Sequence, residues 1–293
     1  MNLLNTETLW VLISGSDEER FLSDIQFAIS CLEFRGIDHQ NILAFIDEPS
    51  GMGVVNAYGF PPSISIFPTS NIGSELNTRV NTNLVVVVTG HGSQNGIAAI
   101  NDISPYFLLT NIKQLNVKSC LIVLGQCFAG TFNFLEARSS NQSIGNTTPE
   151  ICIIGATSLN VSISSLINFS GIVDFKHFQP QAPWLANLFL FYFMLHVAMP
   201  KDTDGDGEIT VMDTYKAAGI GANRHLISAK SQAFLEMHKI LIQSGLGQGQ
   251  KQQSLITQLD QQAQQDYLAN CEIVLTAQTP WILHANFARQ LKL

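Results

Sequence analysis

Two short apolar runs, LVVVVTGHG over 84–92 and SCLIVLGQCFAG over 119–130, constrain this chain more than any other feature. Each is a block of β-branched residues and leucine without polar alternation, which suits a strand buried on both faces of a parallel sheet. Both runs stop at a glycine-flanked reactive side chain, His91 in the first and Cys127 in the second. In open sheets of this kind, ligands and chemistry gather beyond the carboxyl ends of the strands. Two such strands lying side by side would deliver an imidazole and a thiol to one edge.

The rest of the chain alternates strand and helix signals. LWVLISGS (9–16) predicts a strand. Ser16 with Glu19 forms a capping box opening a helix that runs through Phe21, Ile25, Ala28, Ile29 and Leu32 and closes at Gly36. NILAFID (41–47) predicts a second strand, and 48–83 reads as a long irregular insertion with Gly51, Gly53, Pro61, Pro62 and Pro68. A helix near 105–114, a strand at 151–158, a helix over 183–199 and another over about 211–219 follow. The polar segment 137–150 and the Gly/Gln-rich stretch 244–253 read as connectors, the second between two more helices. A last strand falls near 272–276 or 280–284. The pattern predicts an α/β protein, a three-layer α/β/α sandwich with a mostly parallel central sheet. Residues 1–222 form the main domain, with a helix pair at 183–220, and 223–293 form a C-terminal helical extension.

With 46% hydrophobic and 13% charged residues the chain can bury a sizeable core. A net charge of −8 without a basic stripe argues against nucleic acid or an anionic membrane as partner. WLANLFLFYFMLHVAM (184–199) falls short of the roughly 20 residues that span a bilayer, and Asn187 and His196 interrupt it. MNLLNTETLW has neither the basic start nor the apolar core of a secretion signal, and the cysteine usage fits a reducing cytoplasm as the expected location. The five cysteines are widely spaced and form no CxxC pair, which speaks against a disulfide framework or a zinc site. Cys31, Cys120 and Cys152 read as small buried hydrophobes.

A thiol becomes a usable nucleophile as thiolate, and a nearby imidazole generates or stabilises that form. Acyl transfer also needs N–H donors for the tetrahedral oxyanion, which Gly92 and the turn at Cys127 can present. TGHG followed by GQCFAG resembles the caspase–legumain clan of cysteine peptidases, and is most similar to its bacterial legumain-like and caspase-like branch. The resemblance covers roughly 9–220, with the two short motifs as its specific part. It implies a cysteine endopeptidase with Cys127 as nucleophile, His91 as proton-transfer partner, and the backbone of Gly92 and Cys127 as oxyanion hole. Asp17, in SGSD, stands where legumains orient the histidine with Asn; it either does so or simply opens the helix. Ala156, Thr157 and Ser158 match in position the clan's first specificity pocket, and Arg20 either meets an acidic substrate residue or lies on a solvated helix face. Segment 137–150 lies where caspases are cut in maturation and carries Asn141 and Asn146 but no Asp. The expected partner is a protein or peptide substrate, with an activator as a further possibility. The competing reading is a catalytically silent scaffold of the same fold that binds a protein partner.

DTDGDGEITVMD (202–213) fits a twelve-residue calcium loop. Asp202, Asp204 and Asp206 take positions 1, 3 and 5, the Glu208 carbonyl position 7, Thr210 position 9 and Asp213 position 12. Asp in place of Glu at position 12 weakens calcium binding or lets magnesium compete. His196 reads as a satisfied core histidine.

Overall fold

The computed structural model describes residues 1–134, 149–168, 183–244 and 259–293. The connectors expected at 137–150 and 244–253 lie outside these residues except at their edges, as does His177. Seven strands build one sheet: β1 (Thr8–Ser14), β2 (Ile42–Ile46), β3 (Ser65–Phe67), β4 (Asn83–Thr89), β7 (Ser119–Leu124), β8 (Glu150–Gly155) and β11 (Trp281–Leu283). Their order is β11-β8-β7-β4-β1-β2-β3, and every pairing is parallel except that of β11 with β8. The Val-rich β4 therefore sits at the centre, where its residues are buried on both faces. Two two-stranded ribbons complete the set: β5 (Gly92–Ser93) with β6 (Gly96–Ile97), and β9 (Ser164–Ile167) with β10 (Trp184–Asn187).

The two faces of the sheet are covered by different helices. Val86, Val88, Ile122 and Leu124 pack with Ile72 and Leu76 of α3 (Ile72–Asn77) and Leu108 and Ile112 of α4 (Pro105–Gln114). On the opposite face, Val87 and Thr89 meet Phe27 and Ala28 of α1 (Glu19–Phe34) and Leu190 and Met194 of α5 (Leu188–Ala198). The strand period of two separates these sets cleanly. The fold is a three-layer α/β/α sandwich.

The structure departs from the sequence reading at several elements. The capping box does not form: the Ser16 hydroxyl accepts from the Glu18 N–H, and α1 begins at Glu19 without a side-chain cap. Its expected close holds, with Gly36 at φ +76°. The 48–83 insertion contains α2 (Val54–Ala57), α3 and edge strand β3. The stretch read as one helix over 183–199 is β10 followed by α5, whose Asn187 cap accepts from the Leu190 N–H. The helix expected to stop near 219 continues as α6 (Val211–Gln243). Of the two positions for a last strand, 281–283 is the strand, and the other lies at the end of α7 (Gln261–Leu275).

The chain divides into two compact units, Met1–Gly221 with Thr279–Leu293, and Ala222–Gln278. In the first, Lys292 bridges to Asn2 and to Thr210, and α8 (Ala285–Ala288) precedes it. The second holds the rest of α6 and α7, with Phe234, Leu235, Ile242 and Leu275 exposed. Among the described residues, no helix is long and apolar enough to cross a membrane.

Ile122 is wholly buried in β7. Ile122→Ala should lower the unfolding free energy by about 2–5 kcal/mol, read as a lower urea midpoint with an unchanged slope.

Candidate active site and acidic loop

β4 and β7 pair in parallel with Val88 opposite Leu124, so His91 and Cys127 stand the same number of residues beyond matched positions. The chain leaves β4 through Gly90 at φ +103°, a backbone conformation that favours glycine. It then enters the β5–β6 ribbon, where Gly92 faces Ile97. A Cβ on Gly92 would stand 1.8 Å from the Cys127 carbonyl oxygen and 2.7 Å from Gln126 Cγ. Only glycine permits this approach, and it presses the imidazole-bearing loop onto the thiol-bearing turn.

Cys127 is half-buried, whereas Cys31, Cys120 and Cys152 are fully buried and their thiols are pushed well above the ordinary range by desolvation. The expectation for those three as small hydrophobes holds. Phe128 follows at φ 55° and donates its N–H to the Asn160 carbonyl at 2.8 Å, and Gly130 donates to the Ser158 carbonyl at 2.9 Å. These bonds fasten the loop 158–162 over the cysteine turn, and the Ser162 N–H donates to Cys127 Sγ at 3.3 Å. Among the described residues the Cys127 N–H itself has no partner. Next to it the Gln126 side chain is 1% exposed, and neither its Nε2 nor its Oε1 has a partner among the described residues.

His91 meets Glu18: its Nε2 bonds the Glu18 carboxyl, and its ring packs edge-on against Phe21 at 5.0 Å. Arg20 bonds the same Glu18 at 2.9 Å and places Nη2 3.5 Å from His91 Nε2. Desolvation of Glu18 works against its charge, but the His91 bond and the Arg20 guanidinium outweigh it and hold the carboxyl below its ordinary range. An ionised carboxylate only accepts hydrogen bonds, so Nε2 carries a proton toward Glu18. Asp17 is engaged elsewhere, accepting from the Ser50 hydroxyl. Glu18 is the neighbour of His91 that sequence reasoning missed, because a contact across 73 positions leaves no local spacing to read.

Ala156 and Thr157 are buried. The Ala156 N–H donates to Leu124, the Thr157 carbonyl accepts from Trp281 Nε1, and the Thr157 hydroxyl has no partner among the described residues. Ser158 bonds Thr279 at 3.1 Å and supports Gly130. The open groove beside the site, about 760 Å³, is lined elsewhere: Glu18, Arg20, Tyr58, Leu166, Trp184 and Leu185 are among its walls. The 48–83 insertion contributes one side of it through Val54, Ala57 and Tyr58.

In the acidic loop, carboxyl oxygens of Asp202, Asp204 and Asp206 lie within 4.8 Å of one another. Gly205 and Gly207, at φ +78° and +87°, turn their N–H groups onto Asp202 at 2.6 and 2.9 Å. Asp204 Oδ2 bonds Lys216 and Arg289, and the Lys216 ammonium holds this carboxyl below the usual range. Its Oδ1 is buried without a partner among the described residues. Three clustered carboxylates with one orphaned oxygen fit a hard cation. The Glu208 side chain pairs with Lys292. Asp213 stands apart from the cluster: Oδ1 accepts from the N–H of Thr203 and Asp204, and Oδ2 from the N–H and hydroxyl of Thr210. Burial opposes its charge, but these bonds outweigh it and hold its pKa low. His196 behaves as a satisfied core histidine, bonding Thr214 and Lys201, and burial pushes its pKa down.

The site is therefore that of an α/β protein carrying a thiol and an imidazole at adjacent strand ends. No protein-family model matches the chain, and no curated protein matches its sequence.

In the presence of chelator, Asp213→Asn should lower stability at neutral pH by about 1–3 kcal/mol. A depressed folded pKa contributes stability above the unfolded value and loses it as pH falls through the folded one. The deficit should thus shrink on acidification to about pH 3; thermal melts giving a constant deficit would contradict the capping role.

Proposed function

We propose that this chain is a cysteine endopeptidase of the caspase–legumain type. The single observation that carries the reading is the seating of Gly92 on the Cys127 carbonyl, which makes the imidazole loop and the thiol turn one unit. His91 Nδ1 takes the thiol proton, and Cys127 Sγ attacks the scissile carbonyl carbon. The Cys127 N–H, without a partner among the described residues, receives the oxyanion together with the N–H of Gly92. His91 then protonates the leaving amine, and a water, losing its proton to the same imidazole, releases the acid and the thiol. Glu18 fills the orienting place that the resemblance assigned to Asp17. The Ser162 N–H stabilises negative charge on sulfur. A peptide lies in the groove walled by Arg20, Tyr58 and Trp184. The insertion lines this groove instead of filling it, which favours the enzyme over the silent scaffold.

The acidic loop is proposed as a calcium site, open to magnesium, held by Asp202, Asp204, Asp206 and the Glu208 carbonyl. A bound cation there supplies charge that ties α5 to α6 and takes no part in peptide cleavage. Asp213 acts through the loop backbone that it caps.

A diverse peptide library incubated with the protein, with Cys127→Ala and with Glu18→Gln, in calcium and in chelator, tests this. Cleavage should vanish in Cys127→Ala and fall about 10-fold or more in Glu18→Gln, mainly in kcat. Cleavage surviving in Cys127→Ala sinks the nucleophile, and no cleavage under any condition moves the reading to the partner-binding scaffold.

A further inference from the structure

Asp24 is a carboxyl in the wrong place for an ordinary surface helix. It sits on the inner face of α1, 8% exposed, beside a small cavity walled by Phe27, Val87, Leu190, Phe191 and Met194. Burying a carboxylate among such groups is costly unless donors compensate it. Three do: the Thr89 hydroxyl at 2.8 Å on Oδ2, and Trp184 Nε1 at 3.2 Å and the Asn187 N–H at 3.3 Å on Oδ1.

Two of these donors lead to the reactive pair. Thr89 is the last residue of β4, two before His91. The Asn187 side chain donates onward to the Gly125 carbonyl at 2.7 Å and to the Ser162 hydroxyl at 3.1 Å. Gly125 lies two residues before Cys127, and Ser162 is the residue whose N–H reaches Sγ. One buried carboxyl thus bonds the end of β4 directly and reaches the turn after β7 and the loop that contacts the thiol through Asn187.

We propose that Asp24 is the positioning residue of the His91–Cys127 pair, acting on the imidazole through Thr89 and on the thiol through Asn187 and Ser162. This rests on the peptidase reading of the same site. The ionised carboxyl accepts from all three donors at once, whereas a protonated one must turn an O–H toward one of them, which disturbs that bond. Desolvation pushes its pKa up to about 7, against the bonds from Thr89, Trp184 and Asn187 and the nearby Arg20 charge. Among the described residues, the titratable groups that act on it are Arg20 on its own helix and Tyr58 at the end of α2. The named neighbours on β4, β10 and α5 are uncharged. The positioning network therefore changes state near neutral pH, and Arg20 is shared between it and the Glu18–His91 clasp.

The test uses the full chain and reads iodoacetamide alkylation of each cysteine by peptide mass spectrometry, between about pH 6 and 9. Proteins compared are wild type, Asp24→Asn and Thr89→Val, each with its thermal melt. The ratio of Cys127 rates, wild type over Asp24→Asn, should change several-fold with a midpoint near pH 7 while Cys271 rates coincide. Thr89→Val should move the wild-type midpoint upward, because a bond favouring the carboxylate is gone. A ratio flat with pH in folded protein overturns the proposal. Should Asp24→Asn fail to fold, an unmoved midpoint in Thr89→Val overturns it. Cys127 reacting no faster than Cys271 in wild type is a different failure, that of the nucleophile, and leaves the comparison of midpoints to judge the network.

Discussion

The parallel pairing of β4 with β7 is the constraint on which the site depends. Their register sets Val88 against Leu124, and everything beyond that pair is turn. A one-residue slip would exchange the faces of the whole strand and bury the wrong set of valines. Here the slip is forbidden twice over, since Val86 and Val88 pack on α3 and α4 while Val87 and Thr89 pack on α1 and α5. A sheet covered on both faces cannot trade one for the other without turning Thr89 away from Asp24 and toward the wrong helix layer. The precision with which Gly92 meets the Cys127 carbonyl is inherited from this register.

Around that frame, buried carboxylates fasten the loops at the carboxyl edge. Asp47, just beyond β2, accepts from the N–H and hydroxyl of Thr69 and from the Ile100 N–H, joining the insertion to the β6–α4 connection. Asp213 ties down the acidic loop in the same manner, and Asp24 links the reactive strands. Loop N–H groups removed from water need acceptors, and a carboxylate can serve several at once. A chain this poor in charge spends its buried acids where backbone must turn without secondary structure.

This division explains what could be read from sequence. The sheet was legible because the apolar runs at 9–14, 84–89 and 119–124 are continuous and each ends in glycine-containing turns. Ser65–Phe67 was hidden because three residues among prolines carry no period. β10 was hidden because Trp184 to Asn187 merges into the apolar run of α5, although Asn187 is a good helix cap and marks the true start. The stop expected near residue 219 failed because Gly219 and Gly221 lie inside the helix, where a Cβ on Gly221 would meet the Tyr192 ring at 2.4 Å. At the site, His91 and Cys127 were legible from the strand ends that carry them. Glu18 was not: the family pattern points to Asp17, and the Ser50 contact that engages Asp17 comes from 33 positions away.

The acidic loop shows the same competition between charge and solvation from the other side. Lys216 and Arg289 both address Asp204 Oδ2, Arg289 also approaches Asp206 at 3.6 Å, and Lys292 takes Glu208. These cations soften the mutual repulsion of carboxylates held within a few ångströms of one another. On the proposed reading, a divalent ion must displace part of that compensation, so the loop's affinity is set by the basic side chains as much as by its acids. On that reading, Asp204 Oδ1, without a partner among the described residues, is the oxygen that the basic groups leave for a cation. Lys292 is also the residue whose backbone bridges Asn2 and Thr210. Charge at the loop and the docking of the chain's last residues are therefore coupled through one side chain and its own main chain.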